Sequence, residues 1–230
     1  MYDFQRIASS TSFGGVRSVY TGTIKGVTSG KLAVDIATLP DAVNGCIPAG
    51  TPIKIDDYAR TVAIHYAFDV YEAVTYLTGA TSMTIKLLKS FEGSRAKVGM
   101  ILGLAPTLAA GEVAIPLTIT ALDRTNDLYD SATVSCTATS AGGTIAIHST
   151  LVEVVENEDD NKFYVKVLPN GYTMYDVVKL PTAVEVSIDG LFCQVDGVLL
   201  TRRIPPLAAC IVTYLQGEGN VYVRLSNSQE

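Results

Sequence analysis

Apolar and polar positions alternate along most of this chain in runs of four to nine residues, separated by Gly, Pro, Asn and Asp. The longest such run places Val62, Ile64, Tyr66, Phe68 and Val70 at every second position, with Ala63, His65, Ala67 and Asp69 between them. A helix could also gather Ile64, Phe68 and Tyr71 on one side, but aromatic and β-branched enrichment favours a strand. Thr21–Val27, Leu32–Ile36, Thr84–Lys89, Lys97–Leu102, Val113–Leu122 and Ala132–Thr137 read as further short strands. So do Thr144–Ile147, Met174–Val178, Val184–Ile188 and Val198–Leu200. Leu151–Val155 and Phe163–Leu168 read as a hairpin across Glu156–Asn161. Cys210–Leu215 and Asn220–Leu225 read as a second hairpin across Gly217-Glu218-Gly219. Long amphipathic helical periods are absent. The pattern predicts an all-β protein of many short antiparallel strands in β-barrel or β-sandwich units.

The stretch that organises this pattern is Ile47-Pro48-Ala49-Gly50-Thr51-Pro52-Ile53-Lys54-Ile55. Pro48 presets φ at the second position of a tight turn, and Gly50 accepts at the fourth a conformation that β-carbons resist. Ile53 and Ile55 then alternate with Lys54, as in a half-buried strand. A related phrase recurs at Val167-Leu168-Pro169-Asn170-Gly171-Tyr172, so Pro169 and Gly171 are assigned the same structural role. The Pro/Gly-bearing connection Ala105–Glu112 is the candidate internal boundary. It divides residues 21–105 from 106–230, although one continuous β domain is equally compatible with the pattern. Residues 1–20 are rich in Ser, Thr and Gly and show no steady period. They carry the separated aromatics Tyr2, Phe4, Phe13 and Tyr20, which read either as anchors on a partner surface or as a frayed terminus.

Composition narrows the function classes. The chain has 230 residues, 48% hydrophobic and only 17% charged, so surplus apolar surface is expected in strands and interfaces. No apolar run approaches the roughly 20 residues of a membrane helix, and the N-terminus lacks the order of a signal peptide. Synthesis in a cytoplasm is therefore the expectation. A net charge of −6 with no basic run argues against nucleic-acid binding. The 4 cysteines, Cys46, Cys136, Cys193 and Cys210, form no CxxC pair and are read as reduced, buried thiols.

Candidate chemistry adds little. The acidic loop Glu156–Asp160 lacks the spacing and internal glycine of a calcium loop and reads as a solvated hairpin tip. Asp56 and Asp57 point to opposite faces of a strand, so a turn with a local ion pair to Arg60 is the better account. His65 reads as a satisfied structural histidine. His148 has no G-x-S-x-G serine to serve. Arg202 and Arg203 read equally as subunit contacts or as a solvated strand end. No catalytic, cofactor-binding or metal site is assigned, and no enzyme activity is expected.

Three phrases in order carry a family likeness: Ile47–Ile53, then Ala96-Lys97-Val98-Gly99-Met100-Ile101, then Ile119–Asp123 with Tyr129-Asp130. Over Leu32 to Ser226 the chain resembles head accessory proteins of tailed bacteriophages. These include capsid decoration proteins and the auxiliary capsid or head-fibre proteins of crAss-like phages. The resemblance implies a non-enzymatic virion component on the capsid exterior, bound to the major capsid protein and homo-oligomeric, with a trimer as the common form. The alternative carried beside it is a glycan-binding β module for host attachment that uses exposed tyrosines.

Overall fold

The structure is a computed structural model. It describes residues 20–23, 32–35, 46–89, 95–113, 115–136, 142–173, 176–178, 185–188, 190–191, 196–200, 204–217 and 224–226. These residues form twenty short strands and one helix, so the all-β expectation holds. Among the described residues no sheet closes on itself, and the barrel expectation is corrected to open sheets. Pairing is antiparallel with two exceptions: Ala33 runs parallel to Thr61, and Val198–Leu200 run parallel to Arg224–Ser226.

Two sheets dominate. The seven-stranded sheet runs Lys162–Val165, Thr150–Asn157, Ile101–Leu104, Leu117–Asp123, Tyr129–Cys136, Ser82–Leu88, with Ala67–Asp69 also paired to Thr150–Asn157. The six-stranded sheet runs Glu185–Ile188, Leu32–Asp35, Thr61–Ile64, Pro52–Asp56, Gly171–Thr173, Gly190–Leu191. Each sheet draws strands from both sides of the Ala105–Glu112 connection. One apolar cluster joins them, bringing Leu32, Ile53 and Ile64 together with Ile85, Leu102, Leu117 and Leu151.

The run Val62–Val70 is strand, as its period implies, but it is two strands rather than one. Thr61–Ile64 pairs with Pro52–Asp56, and Ala67–Asp69 pairs with Thr150–Asn157. Between them the chain passes from one sheet to the other at His65 and Tyr66. Burial alternates over Thr61–Ile64 and then becomes continuous from Ile64 to Phe68, because a crossing segment is covered on all sides.

Both faces of Thr150–Asn157 are covered over its first half. Leu151 belongs to the cluster between the sheets, whereas Val152 and Val154 belong to a second cluster with Val113, Cys210, Ile211 and Leu215. The last three lie on the helix Ala209–Gln216, which replaces the expected strand at Cys210–Leu215. Ile211-Val212-Thr213 is a β-branched run that imitates a strand, yet Ile211 and Leu215 stand four residues apart on one buried helical face. The prolines at 205 and 206 precede the helix and Gly217 closes it, its N–H donating to Thr213 O at 3.0 Å.

Smaller boundaries also move. Lys97–Met100 is a turn rather than a strand start, with Gly99 at φ 91 and Met100 N–H donating to Lys97 O. The strand expected from Val113 begins at Leu117. Tyr20, placed in the N-terminal arm by sequence, opens the strand Tyr20–Thr23 and pairs with Leu199. The rest of that arm, including Tyr2, Phe4 and Phe13, lies outside the described residues, as do Arg202, Arg203 and Cys193.

Candidate functional site

The two proline–glycine phrases meet. Gly171 pairs with Ile53 and Tyr172 with Pro52, although more than a hundred residues separate them in sequence. The first turn is displaced by one residue from the sequence reading. Thr51 N–H donates to Pro48 O at 3.2 Å, so Pro48 is the first turn residue and Gly50 the third, at φ 77. That is the position at which a type II turn requires positive φ. Thr173 locks the turn from the facing strand. Its hydroxyl donates to Pro48 O at 2.7 Å and accepts from Thr51 N–H at 3.0 Å, while its carbonyl accepts from Gly50 N–H at 2.9 Å. Gly171 opens the strand Gly171–Thr173, and Asn170 beside it clasps Ile55 through both backbone groups, at 2.6 and 3.0 Å. Pro48, Gly50 and Gly171 thus belong to one interlock, and Pro169 immediately precedes the Asn170 clasp.

Beside this interlock lies a cluster of buried polar and charged residues. His65, Tyr66, Arg95 and Glu153 are all buried, and the charges of Arg95 and Glu153 both act on the Tyr66 phenol. His65 Nδ1 lies 2.8 Å from Val167 O. A carbonyl only accepts, so Nδ1 carries the proton and Nε2 is left as a bare acceptor without a partner among the described residues. Burial drives the imidazole pKa down to about 4; the Val167 hydrogen bond opposes this shift and the Arg95 charge adds to it. Burial also raises the Tyr66 phenol far above its ordinary range. Arg95 donates to Ala67 O at 3.4 Å, and Lys166 pairs with Glu153 at 2.7 Å.

This arrangement is suited to holding the crossing between sheets. The imidazole is neutral and the phenol protonated at neutral pH, with His65 2% and Tyr66 5% exposed, so a substrate would reach neither. Burial likewise raises the Asp69 carboxyl, which accepts a 2.8 Å hydrogen bond from Thr150. Among the described residues no group of His, Cys, Asp and Glu is arranged to hold a metal ion.

The other sequence candidates are dispersed. Asp57 pairs with Arg60 at 2.6 Å within one exposed turn, and Asp56 caps that turn through Ala59 N–H. The acidic segment is the tip of the hairpin Thr150–Asn157/Lys162–Val165, its side chains accepting from Asp159, Lys162 and Tyr164. His148 is exposed, at φ 61 in a turn. Cys136 and Cys210 are buried free thiols. Sequence reading placed Tyr66 on an alternating strand but assigned no role to it, to Arg95 or to Glu153. For Glu153 a signal existed: a lone carboxylate inside the apolar run Leu151–Val155.

No protein-family model, no curated protein and no solved structure matches this chain. No helix among the described residues is long and apolar enough to cross a membrane. The class that the fold defines is an open-sheet, all-β protein.

Proposed function

We propose that this chain is a structural component of a tailed-phage head. It binds the major capsid protein on the capsid exterior as an auxiliary, decoration or head-fibre subunit, and it works as a homo-oligomer. The observation that carries the reading is what its three family-like phrases do. Ile47–Ile53 forms the interlocked turn, and the other two phrases are bonded to each other. Gly99 N–H donates to Ile119 O at 2.8 Å, and Ile119 N–H returns to Met100 O at 2.9 Å. Arg124, just beyond the third phrase, donates to Ala96 O at 2.9 Å. Phrases that resemble those of capsid accessory proteins therefore serve here as framework, which suits a protein whose task is to hold shape on a lattice. The acidic balance, −6 overall, favours the outer shell over the DNA-facing lumen.

Quantitative mass spectrometry of purified virions tests this. A structural role requires this chain in a fixed high ratio to the major capsid protein. Its absence from virions, with abundant expression in infected cells, would overturn the proposal.

A further inference from the structure

The outer face of the seven-stranded sheet changes chemistry across its width. Strand register sends Ile85, Leu87, Ala132 and Val134 inward. On the opposite face the same strands carry Ser82, Thr84, Ser131, Thr133 and Ser135, with Thr133 facing Thr84 and Ser135 facing Ser82. Through Thr118, which faces Ile101, this surface is continuous with Gly103 and Val152. There it is apolar and covered by Val113 and the helix Ala209–Gln216. Where Ser82, Thr84 and Thr133 stand exposed, small hydroxyls replace the aliphatic side chains.

One end of the hydroxyl surface is aromatic. The Tyr71 and Tyr129 rings lie 4.8 Å apart at 32°, and Lys86 sits 4.9 Å from the Tyr129 ring centre. Glu72 neutralises Lys86 at 2.6 Å. Asp123, facing Ser131, adds a second carboxylate to the same end.

We propose that this face binds a neutral carbohydrate chain, a site independent of the capsid assignment. Hydroxyls both donate and accept, so rows of Ser and Thr match the alternating donors and acceptors of a sugar. The half-buried tyrosine pair adds ring surface whose negative faces attract the partial positive charge of sugar C–H groups. The strand Tyr129–Cys136 spans about 23 Å at a rise of about 3.3 Å per residue, so an open face of this length takes an extended chain rather than a single sugar. Two carboxylates and a neutralised lysine disfavour an anionic saccharide. A protein partner would need buried aromatic or aliphatic anchors at the centre of its contact, and Thr84 and Thr133 occupy that centre.

The test is amide-resolved NMR titration of the full chain with maltohexaose, cellohexaose and a mannan oligosaccharide, with sialyllactose as the anionic comparator. At least one neutral probe should shift amides within residues 82–88 and 129–136, and sialyllactose should shift them less. Tyr129→Ala and Thr133→Lys should each weaken binding about tenfold or more, the loss of one good contact. Tyr58→Ala, at a fully exposed tyrosine on a turn of the six-stranded sheet, should leave binding unchanged. Thr133 is exposed, so Thr133→Lys keeps the test valid should Tyr129→Ala fail to fold. The proposal is overturned if no neutral probe shifts these amides, if sialyllactose shifts them equally, or if Thr133→Lys binds like the parent. Concentration-dependent loss of the same signals without sugar would assign the face to a second copy of the chain and overturn it as well.

Discussion

Gly50 and His65 show how much rests on single positions. Gly50 is held at φ 77 by bonds from both sides of the turn, so a β-branched side chain there is strained wherever it points. Gly50→Val should lower stability by about 1–3 kcal/mol, read as a lower denaturant midpoint at an unchanged slope. An unchanged midpoint would remove this turn from its organising role. His65 sets a pH dependence. Its pKa falls from 6.5 to about 4 on folding, so the unfolded chain binds the extra proton first. The stability it contributes is complete above pH 6.5 and is lost as pH falls toward about 4, in total about 3 kcal/mol. Asp69, whose carboxyl is raised by burial, works in the opposite sense at the acid end. Urea midpoints at pH 7 and pH 4.5 should therefore differ more for the parent than for His65→Gln. Equal differences would mean that the imidazole does not carry the effect.

At the level of elements, the strand Ile101–Leu104 depends on a missing side chain. A β-carbon at Gly103 would collide with Val113 Cγ1 and press on Val154, so Val113, bridged to Phe163, could no longer keep its place. Gly103→Ala should cost about 1–3 kcal/mol, the usual range for overpacking. That cost should shrink in a Val113→Ala background; equal costs in both backgrounds would show that the two residues do not meet. The helix Ala209–Gln216 is open to an equally direct check. Ile211 is fully buried, and Ile211→Ala should cost about 2–5 kcal/mol. Val212 is only partly buried, and alanine is the better helix former, so Val212→Ala should change stability little. A loss at Val212 as large as that at Ile211 would favour the alternation of a strand.

For the whole molecule, the proposed capsid role makes residues 1–19 the segment to remove. Its three aromatics, Tyr2, Phe4 and Phe13, are expensive to leave in water. Burying each on a partner gains about 1.5–3 kcal/mol before the entropy of ordering is subtracted. Tyr20 pairs with Leu199 and should be retained. Deletion of residues 1–19 should leave the β spectrum and cooperative unfolding of the body intact while weakening binding to empty capsids, an effect multiplied across an oligomer by avidity. Equal binding by the full and shortened chains would move attachment to a face of the β body.

The alternation of side chains was enough to establish strands, because a pleated strand sends successive residues to opposite faces whatever lies beyond them. It identified the hairpin at Glu156–Asn161, the ion-paired turn at Arg60 and the need for glycine at position 50. The sequence also repeated the proline–glycine phrase that forms both halves of the interlock. Local pattern carries no information about partners distant in the chain, however. Only the tertiary structure decided that Ile53 pairs with Gly171, that Val62–Val70 divides between two sheets, and that His65 falls at the crossing. It likewise decided for the helix at Ile211, where packing of one face against Val152 and Val154 outweighs a β-branched preference worth only tenths of a kcal/mol per residue. Arg95 and Glu153 became neighbours of Tyr66 by the same route, since burial is a property of what packs around a residue rather than of the residue itself.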